Sequence, residues 1–236
     1  MSSTALVVAR YQERLEWLRR VPATMSVYVY DKDDRPEPRE PVALPRTPKV
    51  AERLTNLGRE AHTYLHHILR RWDSLEDVTV FAQGHPFDHA SDFHAVLKGL
   101  AAAPEALPES GFRWLGFIID SDDPRGRRLF VPWSKNEDGR ELRTDLFYDA
   151  LFGAPAPEWL HFYPGGQFVA TRAAIHARPR AFYERAFMLA ATFPDGAHCF
   201  ERLWDRVFRA EGAAEAQLDG ALCRYLKPVR RGLEPG

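Results

Sequence analysis

Leu6-Val7-Val8-Ala9, then Tyr11, Leu15 and Leu18 at helical spacing, then Ser26-Val27-Tyr28-Val29-Tyr30: this opening stretch decides the fold. An uninterrupted short apolar run reads as a strand buried on both faces, since a strand with one wet face would alternate. The segment after it predicts an amphipathic helix with Glu13, Arg14, Arg19 and Arg20 on its wet side. The second run is β-branched and aromatic and ends in Asp31-Lys32-Asp33-Asp34. A strand, a helix and a strand in this order close as a right-handed crossover between parallel strands.

Further along, residues 35–49 are rich in proline and charge and read as an exposed loop. Ala61, Tyr64, Leu65, Ile68, Leu69 and Trp72 recur on one stripe of a long helix, and Val78-Thr79-Val80-Phe81-Ala82 is a second buried-type strand. Residues 91–102 predict a helix, residues 112–119 a strand, and 129–131 a further strand. Residues 147–152 read as a short helix or turn, and Phe168-Val169-Ala170 as a strand. A helix runs from Pro179 to a stop at Pro194, and a last helix covers residues 198–209. The expected architecture is α/β: one domain over residues 1–227, with a mixed, mainly parallel sheet, helices on both faces, and a mobile basic tail at 228–236.

A chain of 236 residues with 45% apolar content needs no disulfide or metal to hold a core. Thirty-two basic against thirty-three acidic residues argue against a nucleic-acid partner. No apolar run reaches the roughly 20 residues of a membrane span, and the N-terminus has no signal pattern. Cys199 and Cys223 have no metal-ligand spacing. A cytoplasmic protein is expected.

Four clusters concentrate polar groups beyond the needs of packing. Asn56-x-Gly58-Arg59-Glu60 opens the long helix. It reads either as a phosphate site, with Arg59 as clamp, or as a cap made by Asn56 with Glu60 facing the dipole. Gln83-Gly84-His85-Pro86-Phe87-Asp88-His89 follows a buried strand, where open sheets bind ligands. His85, Asp88 and His89 are a candidate set for a divalent cation, the alternative being a simple turn. His62 and His66 share a helix face, followed by His67. Zinc enzymes use that spacing, but a solvated flank is the plainer reading. Asp120-Ser121-Asp122-Asp123 is an acidic turn or a metal-diphosphate site. Glu201 is placed in the first turn of the last helix, where the dipole favours an ionised carboxylate. It is a candidate general base, though spacing alone reads it as a charge partner of the helix.

These segments, together with Gly166-Gln167-Phe168-x-x-x-Arg172, Arg178-Pro179-Arg180-x-Phe182-Tyr183 and Glu201-Arg202-Leu203-Trp204, resemble an uncharacterised domain family of bacteria and fungi. More distantly, Asn-x-Gly-Arg opening a helix before a strand with a polar loop resembles nucleotide-sugar glycosyltransferases of the GT-A type. Rhamnan-synthesis glycosyltransferases carry a comparable motif. The resemblance implies transfer of a sugar from a nucleotide-activated donor to an acceptor. It places Arg10, Asn56, Gly58, Arg59, Gln83 and Gln167 around the donor, His85, Asp88 and His89 around the diphosphate or a Mn²⁺ or Mg²⁺ ion, and His85 and Glu201 at the chemistry. Where GT-A enzymes carry Asp-x-Asp, this chain has Gln83-Gly84-His85. A metal-free site using Arg59 and His85 is therefore equally open. Two rivals stand beside it: a hydrolase holding zinc with His62, His66, His85 and His89, and a non-catalytic binding module.

Overall fold

Along the first strand, β1 (Thr4–Arg10), every residue is buried, and the side chains divide by parity. Ala5, Val7 and Ala9 enter one apolar cluster, Leu6 and Val8 another. That is the pleat of a strand covered on both faces. The computed structural model describes residues 2–34, 50–134 and 138–227. The proline-rich loop at 35–49 and the basic tail at 228–236 lie outside the described residues.

Beside β1 lies β2 (Ser26–Asp31) and beyond it β3 (Val50–Arg53), while β4 (Val78–Gln83) lies on the other side of β1, all parallel. Then come β5 (Phe112–Trp114), β6 (Ile118–Asp122), β7 (Leu160–Phe162), β8 (Phe168–Thr171) and β9 (Cys223–Tyr225). Six strands form one sheet in the order β3-β2-β1-β4-β8-β5, with β8 antiparallel to both neighbours. β7, β6 and β9 form a small antiparallel sheet. The chain steps outward from β1 to β2 and β3, then returns to place β4 on the opposite side. The parallel strands therefore have a switch point between β1 and β4, and a crevice opens there beyond their carboxyl ends.

Both faces are covered. α1 (Arg59–Arg70) lays Ala61, Tyr64, Leu65 and Ile68 against Val7, Tyr28 and Phe81. α2 (Phe93–Ala102) packs Phe93, Leu97 and Leu100 on the other face. Then follow α3 (Phe130–Trp133), α4 (Thr144–Phe152), α5 (Arg172–His176), α6 (Arg180–Thr192), α7 (Gly196–Glu201), α8 (Trp204–Val207) and α9 (Ala213–Leu218). α6, α7 and α8 thicken the α1 layer with Tyr183, Phe200 and Trp204. No helix among the described residues is long and apolar enough to cross a membrane.

Four sequence expectations change. The helix predicted after β1 is only a 3-10 turn, Glu16–Arg20. The Glu13 carboxylate accepts the N–H groups of Tyr11 (2.7 Å) and Gln12 (3.1 Å) and holds the preceding residues in a loop. The single strand predicted over 112–119 splits between two sheets, because Leu115 N–H donates to Gln167 O (2.9 Å) and Phe117 N–H to His89 O (3.1 Å). Phe130 begins a helical turn instead of a strand. The last helix breaks after Glu201, where the Arg202 and Leu203 amides bond three residues back, to Cys199 O and Phe200 O.

That break frees Arg202 to reach Asp122 on β6, with Nε at 3.0 Å and Nη2 at 2.8 Å from Oδ2. Both side chains are buried, and Asp122 also accepts the amides of Asp123 and Leu129. The ion pair therefore fastens the small sheet to α7. Removing one partner of a buried pair leaves the other charge uncompensated. Asp122→Ala is expected to lower unfolding stability by about 3 kcal/mol, measured by urea denaturation.

Candidate functional site: two clefts that meet at Arg59

The loop from Asn56 to Arg59 carries the chain from the sheet edge to α1 through two left-handed residues, Gly58 (φ 55°) and Arg59 (φ 46°). A Cβ at Gly58 would lie 2.3 Å from the Ala190 carbonyl oxygen of α6, so only glycine permits this approach. Gly58, not Asn56, is the N-terminal cap of α1, and no side chain caps that end. The Asn56 amide instead donates to Asp34 at 2.9 Å. Lys32 holds the loop from below. It is 3% exposed at the end of β2, and its Nζ donates to the carbonyl oxygens of Leu57 and Arg59.

A cleft of about 320 Å³ lies above the ends of β1, β2 and β4. Arg10, Lys32, Asn56, Arg59, Glu60 and Gln83 line it, with Tyr11 and Glu13 from the loop after β1. Arg10 is braced by Asp31 (2.6 Å) and by the Glu13 carbonyl (2.9 Å). Arg59 also borders a second cleft of about 700 Å³. His89, His198 and Glu201 stand in that cleft, along with apolar side chains from β6, α3 and β7. Arg59 Nη1 donates to His198 Nε2 (3.0 Å), and its Nε is 3.7 Å from Glu60.

Glu201 is the last residue of α7, not in its first turn. The helix dipole therefore does not keep it ionised. Burial pushes its proton affinity up, but the neighbouring His198, the Arg202 guanidinium and the Gly165 N–H (2.6 Å) outweigh burial and hold it at about 2. Gly165 (φ 97°) is pinned against the His89 ring, 2.5 Å from where its Cβ would stand. Glu60 approaches the same loop, with Oε1 3.7 Å from the corresponding point on Gly166. Burial raises the Glu60 carboxyl above its ordinary range; Arg59 opposes the rise and the Glu201 charge reinforces it. Two carboxylates at one loop thus hold protons very differently.

The remaining expected residues sort by place. Asn56, Gly58, Arg59, Arg10 and Gln83 gather at or beside the smaller cleft. Gln167 does not join them: it is fully buried just before β8, and its amide donates to Pro86 O (3.0 Å). His85 lines neither cleft; it is half exposed, with Nδ1 3.2 Å from exposed Asp88. His89 turns away from that pair onto Gly165, so the proposed metal set is not assembled. Among the described residues no group of three or more His, Cys, Asp or Glu side chains is placed to hold a metal ion. Of the α1 histidines, His62 and His67 are buried and not a solvated flank, while His66 stays partly exposed with Nε2 3.4 Å from Glu52. His62 stacks on Phe187, with burial lowering its pKa to about 4, and His67 Nδ1 meets Tyr30 Oη at 3.0 Å. Asp120 pairs with Arg128 and Asp122 with Arg202, so the acidic string is structural. Cys199 is buried, which pushes its thiol up to about 12.

The sequence assigns Lys32 no role at a site, and Glu60 only that of facing the helix dipole. The signal for Lys32 was its place as the first basic residue beyond a buried strand, masked by the three aspartates around it. Burial lowers the Lys32 ammonium to about 8 from an ordinary 10.5, with Glu60 opposing. The folded state therefore binds fewer protons than the unfolded state between these values, and stability rises with pH there. Wild-type protein is expected to gain stability over Lys32→Met as pH climbs from about 8 toward 10.5, in paired denaturation curves.

Residues 6–224 match a family described as proteins of unknown function, DUF3431. No curated protein matches the chain.

Proposed function

The chain belongs to the DUF3431 family, and for this member we propose glycosyl transfer from a nucleotide-activated sugar to a hydroxyl-bearing acceptor. One observation carries the reading: a cleft at the switch point of the parallel sheet and a larger one beside the small antiparallel sheet share Arg59 as their common wall. Switch-point crevices are where open α/β sheets bind ligands. A group-transfer enzyme needs two adjoining sites with a charged group at their boundary. The reading extends the GT-A resemblance of the Asn56–Glu60 motif.

In this assignment the smaller cleft takes the donor. Arg10, Lys32 and Arg59 are its cations, and the start of α1, which no side chain caps, lines it. Charge stabilisation of the departing diphosphate, with positioning of both substrates, supplies most of the acceleration. Glu60 is assigned as the proton acceptor. A carboxylate at about 2, like Glu201, is a weak base at neutral pH, whereas Glu60 is tuned upward. Glu201 instead holds the Gly165 loop and supplies fixed negative charge beside the reacting carbon. No step is routed through a metal, since the residues expected to ligate one do not converge.

A nucleoside diphosphate that binds only the folded state must raise the melting temperature. UDP, GDP and ADP, each with and without Mn²⁺, are the probes. One of them is expected to stabilise wild-type protein, and Lys32→Met is expected to abolish the rise. Absence of any rise across the panel would count against the donor site. Glu60→Gln is expected to keep the nucleotide response while slowing turnover by about 10²–10⁴-fold. If Glu201→Gln stops turnover and Glu60→Gln does not, the base is Glu201.

A further inference from the structure

The larger cleft differs in chemistry from the smaller. Ile118, Leu129, Phe130 and Phe162 give it apolar flanks, and Trp133 stands at its edge, 80% exposed. A tryptophan so exposed beside an apolar cleft presents a ring face with no protein layer over most of it. The polar groups along the flanks are already engaged: Asp120 with Arg128, Asp195 with Arg140, and Arg202 with Asp122. Arg59, His198 and Glu201 gather at the boundary with the donor cleft and make that end of the cleft charged.

A cleft of about 700 Å³ with apolar flanks and one polar end suits a flat, mainly apolar molecule carrying a hydroxyl at its tip. A sugar acceptor would press most of its hydroxyls against apolar walls without partners, which is unfavourable. We propose that this cleft binds a phenol, an aromatic alcohol whose ring lies against Trp133 and Phe130 and whose hydroxyl faces the Arg59 end. The inference rests on the glycosyl-transfer reading for the fate of that hydroxyl, though not for its binding. In the transfer, the phenolic oxygen forms a bond to the anomeric carbon and its proton passes to the Glu60 carboxylate. The bond from that carbon to the diphosphate oxygen breaks, and the leaving diphosphate takes the electron pair. A phenol, with a pKa of about 10, is acidic enough for a carboxylate to serve as base.

The test is calorimetric titration of the full chain with 4-phenylphenol and, separately, methyl glucoside, in wild type and Trp133→Ala. Trp133 is exposed, so its removal should leave the circular dichroism spectrum unchanged. The phenol is expected to bind saturably, about tenfold more weakly to the variant, and methyl glucoside is expected not to bind. The assignment is overturned by no saturable phenol binding up to about 1 mM, by equal affinity in Trp133→Ala, or by preferential binding of the glucoside. UDP melting shifts, run in parallel, separate the two claims. Phenol binding without any nucleotide response leaves the cleft assignment standing and removes the transfer reading; nucleotide response without phenol binding does the reverse.

Discussion

A single buried ammonium organises the upper face of this protein. Lys32 leaves the end of β2 and spends its hydrogen bonds on the carbonyls of Leu57 and Arg59. Those carbonyls belong to the loop that must turn left-handed twice before α1 can start. Gly58 supplies the freedom for the turn and the clearance beneath α6, while Lys32 supplies the anchor. Arg59 is thereby set on the ridge between two clefts, where a flexible side chain on an ordinary loop would wander. The cation is costly to bury, as its lowered proton affinity records. A position that costs stability and lines a cleft is where chemistry is commonly found.

The second organising feature is the break between α7 and α8. A continuous helix over 198–209 would satisfy local propensity. Interrupting it turns Arg202 inward to the buried Asp122, and leaves Glu201 at a helix end beside the Gly165 loop. The same few residues therefore join the small sheet to the main body and arrange the carboxylate of the larger cleft. Stability and site geometry share one contact there, so each constrains the other.

The carboxylates illustrate how environment assigns roles to chemically similar groups. Glu201 is desolvated yet surrounded by donors and positive charge, and it stays ionised. Glu60 is desolvated with a negative neighbour against it, and Arg59, its own backbone N–H and His198 do not make up for the burial, so its proton affinity rises. Such a divided pair can hold charge with one member and move a proton with the other.

The sequence by itself determined the layers. Unbroken apolar runs in β1, β2 and β4, and the stripe from Ala61 to Ile68, are local patterns whose burial needs only the right period. It also picked out Arg59, because Asn-x-Gly-Arg at a helix start is a contiguous signal. It could not determine which polar residues face inward. His62 reads as a flank until Phe187 of α6 stacks on it, Gln167 reads as a ligand contact until the chain before β8 is buried, and Lys32 stands among aspartates with nothing local to mark it as buried. Those outcomes depend on partners far along the chain, and burial of a polar group is decided by its neighbours in space. Tertiary structure alone brings Glu60 and Glu201, separated by most of the chain, to one glycine loop.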